Sequence, residues 1–236
     1  AVFAIMEAKG RTIMKDNPLN LESIFSYRGA EALIEKAQPY LELMMQYDCA
    51  IKEVTTKFEV LNQEFSVRYN RNPVESIRSR LKTPRSIAEK LRRENLPLEL
   101  DSIRSHITDV AGVRIICSFP EDIYTISGMF LGQDDIKLIR MKDYIKNPKP
   151  NGYRSLHLIV EVPIFLTDRT IPVPVEVQFR TIAMDFWASL EHKLKYKKEV
   201  PDSEALTAEL KECADQIGAL DLRMQEIHRR IDKSAN

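Results

Sequence analysis

Glycine is scarce in this chain, seven among 236 residues, and neither GxxxxGK nor GxGxxG occurs. A backbone cradle of the P-loop or dinucleotide-binding kind is therefore excluded, and any phosphate must be held by side chains. Cysteine is also sparse: Cys49, Cys117 and Cys213 lie far apart with no CxxC pair. That excludes a disulfide framework and fits a reducing compartment. Net charge is missing too, since 35 Lys and Arg balance 35 Asp and Glu. No global field favours bulk nucleic acid or a membrane surface, so an anion site must be local. No apolar run approaches the roughly 20 residues of a membrane span. Residues 1–15 lack a signal peptide's continuous apolar stretch and cleavage site. The chain is expected to be cytoplasmic, with residues 1–20 a disordered or expression-derived tail and residues 21–236 a single domain.

Apolar periodicity is plentiful. Tyr40, Met44, Tyr47, Ile51, Val54, Phe58, Leu61 and Phe65 recur at steps of four and three, as do Leu206, Leu210, Cys213, Ile217, Leu220, Met224, Ile227 and Ile231. Such spacing makes an apolar seam along a helix that must be covered, by its own domain or by another subunit. Two seams at opposite ends predict a homo-oligomer, with residues 203–232 as an oligomerisation helix. Between them, period-two stretches predict strands at residues 77–82, 113–119, 156–162 and 173–179. Pro172 and Pro174 push the start of the last toward a sheet edge. Thr83-Pro84 reads as an N-cap with proline at the first helical position. Thr181 opens a helix carrying Ile182, Phe186, Leu190 and Leu194, closing near Pro201. Interleaved strands and helices give an α/β or α+β class with a sheet core.

With Ile77 and Leu81 in the core, Arg78, Arg80 and Lys82 share the opposite face. Lys90 and Arg93, three apart, share a helix flank. Such a cluster suits a polyphosphate, although a basic run is more often a solvated face. Asp109 precedes the second strand, and Glu176 and Gln178 lie on the polar face of the last. Two carboxylates suit Mg²⁺, which takes few protein ligands and fills its shell with phosphate and water oxygens. The stretch from Lys142 to His157 is a loop punctuated by Pro148, Pro150 and Gly152. Its cations interleave with Tyr144 and Tyr153, suiting a base stacked on a ring with phosphates met by lysines.

Six ordered motifs in this chain resemble those of the RelA/SpoT-type alarmone synthetases. They are Ser79-Arg-Leu-Lys-Thr-Pro84, His106-Ile-Thr-Asp-Val-Ala-Gly-Val-Arg-Ile-Ile116, Lys142-Asp-Tyr-Ile145, Pro148-Lys-Pro-Asn-Gly-Tyr-Arg-Ser-Leu-His157, Glu176-Val-Gln-Phe-Arg-Thr181 and Ala183-Met-Asp-Phe-Trp-Ala-Ser-Leu-Glu-His192. The pattern is most similar to the small, synthetase-only branch of RelP type. The resemblance implies a nucleotidyltransferase-like mixed sheet flanked by helices. It also implies Mg²⁺-dependent transfer of pyrophosphate from ATP to the 3′-hydroxyl of GDP or GTP, giving ppGpp or pppGpp and AMP.

By the same resemblance, Arg80 and Arg114 sandwich the adenine, and Lys82, Lys90 and Arg93 hold the ATP phosphates. Asp109 and Glu176 bind the metal, Glu176 also activating the acceptor hydroxyl. Tyr153 stacks on guanine beside Lys149 and Asn151, with Lys142 near the acceptor phosphates, His157 near the transferring ones and Gln178 in the acceptor set. None of the histidines His106, His157, His192 and His228 is followed by Asp, so the family's hydrolase site is not expected. Small members are typically homotetramers. A transfer-RNA acceptor and a non-enzymatic nucleotide sensor are the rival readings; the loop at residues 148–153 speaks against the first, and Asp109 with Glu176 against the second.

Overall fold

The computed structural model describes residues 27–195 and 203–235. The tail expected over residues 1–20 and the helix end expected near Pro201 lie outside them. Two units are distinguished, Ala1–Glu42 and Leu43–Asn236. In the first, the described residues are the opening turns of α1 (Tyr27–Tyr69), which contain Pro39. With no N–H, that proline leaves one carbonyl of the preceding turn without its helical partner.

The second unit continues α1 and adds β1 (Val74–Leu81), α2 (Pro84–Arg93), α3 (Leu100–His106), β2 (Ala111–Cys117), α4 (Pro120–Leu131) and β3 (Lys137–Asp143). It ends with β4 (Leu156–Phe165), β5 (Thr170–Thr181), α5 (Ile182–Lys195) and α6 (Ser203–Ala235). The strands form one mixed sheet in the order β1-β2-β5-β4-β3. Only β2 and β5 run parallel; the other pairs are antiparallel.

One face of this sheet is the core. Ile77, Ile115, Phe179 and Leu156 are successive partners across β1, β2, β5 and β4. Helices α1 and α4 lie on that face. Phe58 stacks on Phe130 with ring centroids 4.5 Å apart and meets Phe179 edge-on at 5.5 Å; all three rings are fully buried. Such ring pairs add to the stabilisation from burial alone. Met44, Tyr47, Ile51, Val54, Phe58, Leu61 and Phe65 are all buried, so the first seam is covered by its own domain. The Asn62 amide fixes where β1 starts, accepting from the Val74 N–H at 3.1 Å and donating to its carbonyl at 3.5 Å.

Several expectations need correction. Leu81 is 37% exposed, because the end of edge strand β1 runs past the covering helices. Phe119 is the N-cap of α4, not part of β2. Strand β3 was not anticipated: its apolar residues Leu138, Ile139 and Met141 break alternation, and all three are exposed. Interspersed Lys137, Arg140 and Lys142 give it the charged character that discourages edge pairing. Strand β5 lies inside the sheet rather than at an edge. Its pairing with β2 begins only at Val175, however, so Pro172 and Pro174 sit where β5 is open on that side and a missing N–H costs no ladder bond.

The helix after β5 turns the opposite way from its apolar stripe. Ile182, Phe186, Leu190 and Leu194 are exposed, while Met184, Asp185, Trp187 and Ala188 are buried. On α6 the seam residues Leu206, Leu220, Met224, Ile227 and Ile231 are likewise exposed, and Ala214, Asp221 and Gln225 face inward. The Thr181 hydroxyl accepts from the Met184 N–H at 3.1 Å, capping α5, and donates to buried Asp221 of α6 at 2.6 Å. Trp187 Nε1 donates to the Leu210 carbonyl at 3.0 Å. These polar anchors dock α6 together with Leu210 and Ile217 of the seam, which pack on Trp187, Ala188 and Ala214.

Truncating Phe58 to Ala empties the place where three rings meet. The expected loss is about 3–5 kcal/mol in chemical denaturation; a loss below about 1 kcal/mol would show that the sheet is not held through this ring.

Candidate functional site

The other face of the sheet is polar, and strand register explains how distant residues converge there. Arg78, Arg114, Gln178, His157 and Lys142 are successive partners across all five strands. Two residues along, Arg80, Gly112, Glu176, Ile159 and Arg140 form the next row. Residues opposite one another on paired strands share a face, so two adjacent rows hold much of the expected site. Gly112 leaves a gap in the second row. A Cβ there would touch Arg80 Cγ at 3.4 Å. The gap opens a cleft of about 140 Å³ lined by Arg78, Arg80, Gly112, Arg114 and Gln178.

Beside the cleft stands a lysine pair. Thr83 caps α2 by accepting from the Ser86 N–H at 3.3 Å, with Pro84 at the first helical position. The sharp turn brings Lys90 back beside Lys82. Lys82 Nζ lies 2.6 Å from Asp109 Oδ2 and Lys90 Nζ 2.8 Å from Oδ1. Burial would raise the Asp109 carboxyl; hydrogen bonds from both lysines and their charges outweigh it and hold the group below the usual carboxylate range. Arg93, in the last turn of α2, is exposed. It shares the flank with Lys90 but not the contact with Asp109.

Glu176 is held from two sides. His157 Nδ1 lies 3.1 Å from Oε1, and Gln178 Nε2 donates to Oε2 at 2.9 Å. Burial pushes the Glu176 carboxyl up, but the His157 hydrogen bond and charge and the Gln178 bond bring it below its ordinary value; nearby Asp109 opposes them. The two carboxylates are therefore electrostatic neighbours, though not at neighbouring strand positions: Asp109 precedes β2 and Glu176 pairs with Gly112. Among the described residues, no three His, Cys, Asp or Glu side chains converge as a complete metal nest. The other ring nitrogen of His157, Nε2, meets the Tyr153 hydroxyl at 2.8 Å.

The loop carrying Tyr153 is tightly folded. Asp143 Oδ1 accepts from the Ile145 and Lys146 N–H groups, both at 3.0 Å. The Gly152 N–H donates to the Lys149 carbonyl at 2.8 Å. Gly152 has φ of +87°, and a Cβ there would fall 2.5 Å from that of Ala214; glycine is required on both counts. Arg154 fastens the loop to α6, donating to the Ala214 carbonyl and to Asp215, each at 2.9 Å. Tyr153 packs on the cluster of Trp187, Ala188 and Ala214. The Lys149 ammonium lies 4.7 Å from the Tyr144 ring centre and 4.8 Å from that of Tyr153. Any base stacking on that face of Tyr153 must displace it. Asn151 donates to Glu191 at 3.1 Å.

The structure thus gathers Arg80, Arg114, Gln178, Glu176 and His157 on the sheet, with Lys82, Lys90 and Asp109 at one end and Lys149, Asn151 and Tyr153 at the other. Lys142, exposed on β3, joins through its register with His157. Sequence reasoning missed Arg180 and Asp185. Arg180 Nη1 donates to Asp185 Oδ1 at 2.8 Å and Nη2 to the Tyr153 hydroxyl at 2.9 Å. The signal was available in part: Arg180 continues the alternation of Glu176 and Gln178 on β5. Asp185, lying on a helix, was marked only by its place in the last of the six motifs, which gave it no role.

Comparison with known proteins identifies the family. The family described as "Region found in RelA / SpoT proteins" matches residues 79–200. The chain is 46% identical over 189 residues to GTP pyrophosphokinase YwaC of Bacillus subtilis strain 168, covering 80% of this chain and 90% of that one. The crystal structure of small alarmone synthetase 2 from Bacillus subtilis superposes with a TM-score of 0.72 at 45% identity, covering 81% of this chain and 98% of the other. Small alarmone synthetase 1 of that organism, bound to its product pppGpp, gives a TM-score of 0.74 at 32% identity, covering 82% and 98%. A cation-lined cleft and a tyrosine loop on one mixed sheet, with sequence identity across four-fifths of the chain, place this protein in the RelA/SpoT family, among its small alarmone synthetases.

Proposed function

We propose that the chain is a GTP pyrophosphokinase that moves the β,γ-pyrophosphate of ATP to the 3′-hydroxyl of GDP or GTP, making (p)ppGpp. One observation carries the reading: the arginine-lined cleft and the Tyr153 loop flank Glu176 on a single sheet face. Two anionic substrates would then meet across one carboxylate. The acceptor 3′-oxygen attacks the β-phosphorus of ATP, the bond from that phosphorus to the α,β-bridging oxygen breaks, and AMP leaves. Glu176 takes the hydroxyl proton, a task suited to a carboxylate kept ionised by His157 and Gln178.

Arg80 and Arg114 grip the adenine, while Lys82, Lys90 and Arg93 meet the ATP phosphates. Tyr153 stacks on guanine, with Lys149 and Asn151 beside it and Lys142 toward the acceptor phosphates. His157 and Gln178 fix Glu176. Aligning the substrates and offsetting their charge supply most of the rate in such chemistry.

Asp109 and Glu176 are hard oxygen donors close enough to influence each other electrostatically, and they would hold a Mg²⁺ ion, which needs few protein ligands. When bound, the ion supplies neutralisation of phosphate charge. The exposed seam of α6 supports self-association, as a homotetramer, with residues 21–236 acting as one synthetase domain. No helix among the described residues is long and apolar enough to cross a membrane.

Incubation with ATP, Mg²⁺ and GDP, GTP or transfer RNA tests the reaction. AMP paired with ppGpp or pppGpp is expected, and AMP with none of the three acceptors refutes it. Glu176→Gln should lower kcat by roughly 10²–10⁴-fold, the range of a lost general base, with ATP-analogue binding retained; turnover near that of the unaltered protein would remove Glu176 from its role. Tyr153→Ala should raise the KM for GDP about tenfold or more, one stacked base being worth about 1–3 kcal/mol. An equal rise for ATP would contradict stacking. Leu220→Glu with Met224→Glu should reduce the mass measured by light scattering; an unchanged mass places the subunit contact elsewhere.

A further inference from the structure

The reaction just described gives no task to the buried carboxylate that stands at the site itself. Asp185, in the first turn of α5, is 7% exposed and sits among three guanidinium groups from three strands. Arg180 of β5 donates to its Oδ1 at 2.8 Å, Arg114 of β2 to the same oxygen at 3.4 Å, and Arg78 of β1 to Oδ2 at 3.4 Å. Two of those arginines, Arg78 and Arg114, line the donor cleft. The third, Arg180, is itself buried at 6% and uses its other terminal nitrogen to hold the Tyr153 hydroxyl. A single carboxylate therefore touches the donor pocket directly and the acceptor loop through one residue.

Guanidinium geometry gives this arrangement its force. The group is a planar fork whose donors keep fixed mutual angles. With Nη1 on Asp185 and Nη2 on Tyr153, the phenol ring is set relative to the carboxylate. The same carboxylate offsets repulsion among the cations. Burial and the charge of Arg180 lower the Arg114 guanidinium below its ordinary value, and Asp185 is the first influence that restores it. Without that counter-charge, Arg114 has a neighbouring guanidinium to avoid and no anion to face until ATP arrives.

We propose that Asp185 is a positioning residue shared by the two substrate pockets, orienting Arg78 and Arg114 for the donor and, through Arg180, Tyr153 for the acceptor. The proposal rests on the assignment of donor and acceptor above. It assigns Arg180 the intermediate role, so the two residues should differ in what they disturb. Asp185 acts on both substrates and Arg180 mainly on one.

The test uses the full chain with Asp185→Asn, Arg180→Lys and Tyr153→Phe. KM for ATP and for GDP are measured separately, and calorimetry follows binding of GDP and of a non-hydrolysable ATP analogue. Asp185→Asn should raise both KM values by roughly tenfold, and Arg180→Lys the GDP value alone, since a lysine cannot span both partners. A lower kcat with both KM values unchanged is what a purely structural role gives, through a reduced active fraction, and overturns the proposal. So does a rise confined to one substrate in Asp185→Asn.

Should Asp185→Asn fail to fold, Arg180→Lys and Tyr153→Phe decide: each should raise the GDP KM similarly, with no further rise in the double variant. Additive effects refute the link. If the unaltered protein forms no AMP, the assigned reaction fails, and calorimetry still judges this proposal by whether Asp185→Asn weakens both ligands.

Discussion

The register between β2 and β5 is the constraint on which the rest depends. These are the only parallel neighbours in the sheet, and Gly112 opposite Glu176 sets every other partner. Side chains in a strand alternate between faces, so a slip of one residue would send Glu176 and Gln178 into the core and Val177 and Phe179 into the cleft. The register is therefore enforced from the core side. Phe179 must meet Phe58, itself stacked on Phe130, and satisfying that contact leaves Glu176 among the cations. Packing and chemistry are two faces of one alignment.

Charge explains why the site cannot be understood strand by strand. The sheet face and its flanks collect Arg78, Arg80, Arg114, Lys82, Lys90 and Arg180, against the buried or half-buried carboxylates Asp109, Glu176 and Asp185. In a chain whose charges balance overall, that excess of cations is a local property. It matches substrates that each carry a polyphosphate, and it draws anions to one face of the sheet. On the proposed reading Lys142 and Lys149 add to the acceptor end, so that cations flank the carboxylate on both sides, an arrangement suited to transfer between two polyphosphates.

Much of this was legible in the residues. Alternation located β2, β4 and β5, and Thr83-Pro84 marked the start of α2 because cap chemistry is local. The polar face of β5 named Glu176 and Gln178. Strand β3 was illegible because an edge exposed throughout needs no alternation. The apolar stripe of α5 misled for a different reason. Periodicity says that a face is apolar, but not which neighbour covers it, and α5 meets α6 through Thr181 and Trp187 instead. Family motifs supplied roles for Arg80 and Arg114 that spacing alone did not. Asp185 stayed hidden, since a helical carboxylate declares its partners only when the sheet beneath it is in place.

The scarcity of glycine now has a structural meaning. A glycine-rich loop holds phosphate with peptide dipoles, which are neutral overall and cost little when the site stands empty. Here the cations are side chains, and unaccompanied cations repel one another. Each cluster accordingly contains one carboxylate: Asp109 between Lys82 and Lys90, Asp185 among Arg78, Arg114 and Arg180. These anions keep long flexible side chains in place and, on the proposed reading, stand where substrate charge is to arrive. The two glycines that do matter serve space rather than phosphate. Gly112 opens the cleft, and Gly152 lets the tyrosine loop lie against α6. A site built this way depends on its counter-charges as much as on its cations, because they decide where the cations wait.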